Sequence, residues 1–198
     1  IKKMYHPKQI IFPINYFNYL KSFFFEKKNF EKELIRKLQK LLNLNKKIKL
    51  LGRARSGIYL AVKLLLKNSK NKVVLLSPFT IPEVVDLVIC AGGKPLFVDH
   101  DEGSTNISIK DLKKKIKLAP NSLILTHYNV NQQNYRDIFS ICKKNKVFLI
   151  EDCAISINGS SQNTNIGSLS EFSIYSFSSF KFINYFLGGC ICYKKKYK

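Results

Sequence analysis

Apolar positions along this chain follow two periods. Between residues 29 and 42, Leu34, Ile35, Leu38, Leu41 and Leu42 form a helical stripe opposite Lys32, Arg36, Lys37 and Lys40, with Asn29 placed to cap it. A second helix is expected from near Ser56, carrying Ile58, Leu60, Ala61, Leu64 and Leu65. From residue 73 short apolar runs alternate with helical ones. Strands are expected at 73–76, 95–98, 123–125 and 147–150. Helices are expected at 82–90, opened by Pro82 and closed by Gly92 and Gly93, at 108–116 behind Ser108, and at 135–144. Continuous apolar strands separated by helices imply a parallel sheet covered on both faces, with right-handed crossovers. After residue 152 the pattern changes. Residues 155–170 read as a long polar loop, and 171–177 and 188–193 as two further strands. Residues 1–28 are aromatic and without a period. The expected organisation is an N-terminal arm and amphipathic helix over 1–49, followed by a three-layer α/β domain, mostly parallel, over 50–198.

Composition narrows the class. Hydrophobic residues make up 45% of 198 positions, enough for one buried core. No apolar run is long enough for a membrane span, and no basic start, apolar stretch and small-residue site follow in order as a signal peptide, so no membrane partner is expected and the cytoplasm is the expected compartment. The five cysteines, Cys90, Cys142, Cys153, Cys190 and Cys192, sit in apolar segments without a CxxC pair, which points to reduced thiols and to no metal site.

The net charge of +21 raises the reading of a basic nucleic-acid-binding module. Two features argue against it. Lys, Ile, Asn, Phe and Tyr are over-used together, as A/T-rich codons would produce. Arg, the side chain that forks onto phosphate and guanine, occurs only at positions 36, 53, 55 and 136, beside 30 lysines. No specific nucleic acid is expected as a partner.

The candidate chemistry lies at two positions. Asp152 ends the apolar run at 147–150, and Lys181 is the one lysine within YSFSSFKFINYFLGG, Tyr175 to Gly189. Each has an ordinary reading, a turn carboxylate and a surface cation. Together, a carboxylate at a strand end and a lysine in an apolar loop are what a pyridoxal phosphate (PLP) site requires: an amine to bind the aldehyde and an anion to keep the pyridine nitrogen protonated. His127, also at a strand end, reads as a structural hydrogen-bonder in preference to a catalyst.

In order, GRARSGIYLAVKLL, SPFTIPEVVDLVICAGGKPLFVDHD, ILTHYNV, LIEDCA, GSLSEFSIYSFSSFK and FLGGCIC resemble the DegT/DnrJ/StrS family of PLP-dependent sugar aminotransferases, over about residues 50–193. The resemblance implies the large domain of the fold type I aminotransferases, with a mostly parallel seven-stranded sheet. It implies a homodimer and transfer of an amino group from an amino-acid donor, glutamate, to the keto sugar of a nucleotide-sugar. Lys181 matches the Schiff-base lysine, which also argues against the dehydrating relatives that lack it. Asp152 matches the pyridinium partner. Ser56 and Gly57 match the helix start that holds the cofactor phosphate, Ser176 a hydroxyl on the same phosphate, and Ile81 a position where an aromatic often covers the ring. Arg55 stands where a small hydroxyl residue is common and offers a charged donor to that phosphate. Ile155 stands where the family has His or Gln. The small C-terminal domain that completes the family's fold is not found among these residues, so the chain reads as a truncated portion that does not turn over by itself. Ile155 and the missing domain keep a second reading open, a degenerate, non-catalytic relative that retains the fold.

Overall fold

The computed structural model describes residues 29–128, 134–179, 181–183 and 187–197. The arm expected over 1–28 lies outside the described residues. The chain folds as α1 (Phe30–Leu42), β1 (Lys47–Leu51), α2 (Ala54–Leu66), β2 (Val73–Leu76), α3 (Pro82–Cys90), β3 (Lys94–Phe97), α4 (Ile109–Ile116), β4 (Ser122–Thr126), α5 (Tyr135–Lys144), β5 (Phe148–Asp152), the two-residue strands β6 (Ser160–Ser161) and β7 (Thr164–Asn165), β8 (Phe172–Ser176) and β9 (Gly189–Tyr193). Seven strands form one sheet in the order β1-β9-β8-β5-β4-β2-β3. The five from β8 to β3 are parallel, and β9 is antiparallel to both of its neighbours.

Side-chain alternation sorts the two faces. Val74, Leu76, Ile124, Ile150 and Ile174 pack under α2 and α3, through Ile58, Ala61, Val62, Leu65, Val84 and Val88. Leu75, Leu123, Leu125 and Leu149 pack under α4 and α5. On that second face α1 buries Leu38 and Leu42 against Ile48, Tyr175, Cys190 and Cys192. A parallel strand covered on both faces has no polar positions to spare, which is why β2 reads VVLL and is buried or half-buried throughout.

The expected strands and helices are present within a residue or two, with four corrections. β1 was not anticipated: as an edge strand it alternates Lys47, Ile48 and Lys49, and only Ile48 of these is buried. It also runs across the expected boundary at 49/50, so the first strand of the sheet begins before it. Asn29 and Ser108 stand at helix starts, but neither side chain makes a cap hydrogen bond. The loop over 155–170 contains the β6–β7 hairpin, turned by Gln162 and Asn163 at φ 50° and 55°, the left-handed pair that a two-residue hairpin requires.

Candidate functional site

The site forms where the sheet ends. Leu51 closes β1, Gly52 and Arg53 make the turn, and α2 starts at Ala54 with Arg53 in extended conformation as its N-cap. Two glycines bring this helix start onto the sheet. A Cβ on Gly57 would lie 2.9 Å from Leu51 Cδ1 and 3.3 Å from Ile174 Cγ1, so this turn sits hard against β1 and β8. A Cβ on Gly189 would lie 2.6 Å from the Tyr175 carbonyl oxygen and 2.8 Å from Ala54 N. Only glycine at the head of β9 lets the α2 N-terminus approach this closely.

A cavity of about 210 Å³ opens between this helix start, the start of α3 and the ends of β5 and β8. The polar and charged side chains among its lining residues are Arg53, Arg55, Asp152, Ser176, Ser178 and Lys181, and Ile58, Ile81, Val84 and Leu187 contribute apolar surface. Charge at its upper end is unusual. A helix N-terminus carries positive potential and favours acids in its first turn. The first turn of α2 has no acid, and arginines stand at 53 and 55. Arg55 Nη1 is held 2.9 Å from Glu83 Oε1 on α3. Two guanidinium groups at a helix N-terminus suit a multiply charged anion such as a phosphate monoester.

Asp152 occupies the other end. It is the last residue of β5, 7% exposed, and its Oδ1 accepts a hydrogen bond from Ala154 N at 3.1 Å. Burial pushes its pKa up, and the Ala154 N–H and the charges of His127 and Lys181 offset this only in part. A buried carboxylate so sparsely compensated suits a cationic hydrogen-bond donor. Lys181 follows a tight turn. Its backbone N donates to Ser178 O at 3.2 Å, Phe177 N donates to Gly188 O at 3.0 Å, and Ser176 Oγ lies 3.1 Å from Ser178 Oγ.

Across the sheet from the cavity lies a second polar cluster. Glu151 points to the opposite face from Asp152 and is fully buried. Its carboxylate accepts Gly167 N at 2.7 Å, Ser170 N at 3.1 Å and His127 Nε2 at 2.8 Å. Burial alone would raise its pKa, but the hydrogen bond and charge of His127, with Lys46 and Ser170, bring it down to about 2. His127 therefore takes the structural role, buried edge-on to Tyr135 with ring centroids 5.4 Å apart. His127, Glu151 and Cys153 bring possible metal-ligand atoms within 4.8 Å of one another. Glu151 accepts from three donors, whereas His127 Nδ1 is buried without a hydrogen-bond partner.

Of the residues singled out from sequence, Asp152, Lys181, Arg55, Ser176 and Ile81 line one cavity. Ser56 and Gly57 do not line it. Both lie in the first turn of α2, but that helix begins two residues before Ser56, and Gly57 faces the sheet. Arg53 and Ala54 take the place at the cavity and were missed. Ser56 is the hydroxyl residue that looks like a cap, whereas the observed cap is an arginine without a side-chain cap bond. Ile155 is not a lining residue either. Among the described residues no helix is long and apolar enough to cross a membrane.

Comparison with known proteins follows the same outline. The chain is 25% identical over 118 residues to GDP-perosamine synthase of Vibrio cholerae, covering 60% of this chain and 32% of that protein. It is 28% identical over 152 residues to UDP-4-amino-4,6-dideoxy-N-acetyl-beta-L-altrosamine transaminase of Campylobacter jejuni, covering 74% of this chain and 39% of that protein. The chain thus spans well under half the length of these curated relatives. In fold it is similar to the Helicobacter pylori aminotransferase PseC, with a TM-score of 0.80 at 17% identity over 90% of this chain and 48% of that one. A DegT DnrJ EryC1 StrS aminotransferase from Brucella abortus gives a TM-score of 0.76 at 20% identity, covering 89% of this chain and 49% of that one. The profile of the DegT/DnrJ/EryC1/StrS aminotransferase family matches residues 18–196, and the chain belongs to that family.

Proposed function

We propose that this chain is the cofactor-binding part of a PLP-dependent aminotransferase that moves an amino group from an amino-acid donor, glutamate, to a keto sugar carried on a nucleotide. The observation that carries the reading is the meeting of Asp152, Lys181 and the arginine-flanked start of α2 around one cavity. The residues suit the cofactor in charge and chemistry. Arg53 and Arg55, with the backbone N–H groups at the start of α2 and the hydroxyl of Ser176, would hold its phosphate. Asp152 would accept a hydrogen bond from its protonated ring nitrogen, and Ile81 would cover the ring. Bound PLP supplies an electron sink for carbanion chemistry at the donor's Cα.

The chain's own groups do the rest. Lys181, a lining residue of the cavity, would take a proton from the donor's Cα and return it as the general acid. Asp152, buried at the end of β5, would as a carboxylate favour the protonated form of the ring nitrogen. The apolar side chains of Ile58, Val84 and Leu187 limit water at the reacting atoms. The relatives' names concern GDP- and UDP-linked amino sugars, which supports a nucleotide-sugar as the acceptor. A homodimer in the cytoplasm fits this reading, and the five cysteines are free. A non-catalytic relative is the reading that Ile155 favours, and Lys181 weighs against it. Reconstitution decides between them. Full-length protein mixed with PLP should develop a bound-cofactor absorption band that Lys181→Ala lacks. The absence of any such band in the parent protein would remove the enzymatic reading.

A further inference from the structure

Lys46 stands four residues past α1 and is 6% exposed. It donates to Gly167 O at 2.6 Å, Ser173 Oγ at 2.6 Å and Ser170 Oγ at 3.0 Å. The same segment turns its N–H groups the other way, from Gly167 and Ser170 to the two oxygens of Glu151. Residues 167–170 are thus threaded between a buried cation and a buried anion. From Glu151 the contacts continue to His127 Nε2, and the His127 backbone is tied on both sides. Its N donates to Asp152 O at 3.0 Å, and its O accepts Ser156 Oγ at 2.7 Å. The chain of contacts therefore starts at Lys46 and ends on the residue that opens into the cavity.

The electrostatics give this chain of contacts a purpose. Glu151 and Asp152 are consecutive and both buried. The Glu151 carboxylate is also faced by His127 from the end of β4, Tyr135 from α5 and Cys153 from beyond β5; burial lowers the Lys46 pKa and the charge of Glu151 raises it, so the buried cation and the buried anion support each other. Without Lys46, Glu151 would keep His127, Gly167 and Ser170 as hydrogen-bond partners but lose the buried cation, and burial would drive its carboxyl to take up a proton. A protonated Glu151 carries a hydrogen where it now accepts, so its bonds to Gly167 and Ser170 weaken or its bond to His127 must reverse.

We propose that Lys46 is a positioning residue for the cofactor site: it holds Glu151 ionised on one face of β5, and so fixes the strand end from which Asp152 serves the other face. This rests on the reading of Asp152 as the cofactor's partner. The test uses full-length protein with carboxyl-¹³C glutamate, and PLP binding measured alongside. At neutral pH the Glu151 carboxyl signal should be that of an ionised group in the parent and of a protonated one in Lys46→Met. PLP affinity should fall in Lys46→Met by a few-fold to about a hundredfold, the span of couplings within one buried network. Lys46→Met/Glu151→Gln, which removes both charges, should recover most of that loss. Glu151 remaining ionised in Lys46→Met would overturn the proposal. So would a double variant that binds no better than Lys46→Met, since Lys46 would then be only a loop anchor. If Lys46→Met does not fold, the double variant decides: folded and PLP-binding supports the proposal, unfolded overturns it. The carboxyl signal needs no cofactor, so it still reads Lys46 if the parent binds no PLP and the proposed function fails.

Discussion

Replacing Gly189 with Ala tests whether the approach of α2 to the sheet builds the site. The added methyl carbon would stand 2.6 Å from Tyr175 O, 2.8 Å from Ala54 N and 2.9 Å from Ala54 Cα. All three are backbone atoms, one on β8 and two on α2, so no rotamer change relieves the contact. Ordinary van der Waals separation for these pairs is about 3.5 Å, so α2 and β9 must part by several tenths of an ångström or more. Overpacking of this kind costs about 1–3 kcal/mol. The atoms displaced include the helix start proposed to hold the phosphate, so PLP affinity should fall along with stability. The matched control is Gly52→Ala, where an added Cβ meets nothing within 4 Å. There the change should be neutral, or stabilising by about 0.4–1 kcal/mol through the unfolded chain. Urea unfolding of both variants, with PLP titration of each, makes the comparison. Parent-like stability and parent-like PLP affinity in Gly189→Ala would refute the packing argument.

Two further predictions concern the carboxylates. Burial raises the pKa of Asp152 in the fold, so ionising it opposes folding as pH rises above its ordinary value of 3.8, and Asp152→Asn should raise the thermal midpoint of cofactor-free protein at neutral pH while lowering turnover of the loaded enzyme. An unchanged or lower midpoint would show that the charge is better compensated than its burial implies. Glu151 is displaced the other way, from 4.5 down to about 2, so its stabilisation is present above 4.5 and is lost as pH falls from there to about 2. That stabilisation is about 3 kcal/mol. Acid unfolding of Glu151→Gln should therefore be shallower than the parent's across that window, and parallel curves would count against the network as described.

How much of this was readable beforehand depended on whether a residue's neighbours in sequence are also its neighbours in space. β2 at Val73–Leu76 and α5 at Tyr135–Lys144 were placed to the residue, because continuous burial and helical periodicity are local signals. β1 was hidden because an edge strand with lysines on its open side looks like any basic stretch of this lysine-rich chain. The start of α2 was read two residues late, since Ser56 looks like a cap and Arg53 does not. Arg53 enters the site only because β1 ends at Leu51 and the helix must turn back at once over Gly189. Lys46 could not have been picked out among 30 lysines. What distinguishes it is burial against Gly167, Ser170 and Ser173, more than 120 positions away in the chain.

The central claim is that Lys181 carries the chemistry, and one measurement reaches it directly. Full-length protein loaded with PLP and reduced with borohydride should retain the cofactor covalently, and digestion should place the label on the peptide containing Lys181. A label on any of the other 29 lysines, or none after reduction, would contradict the account.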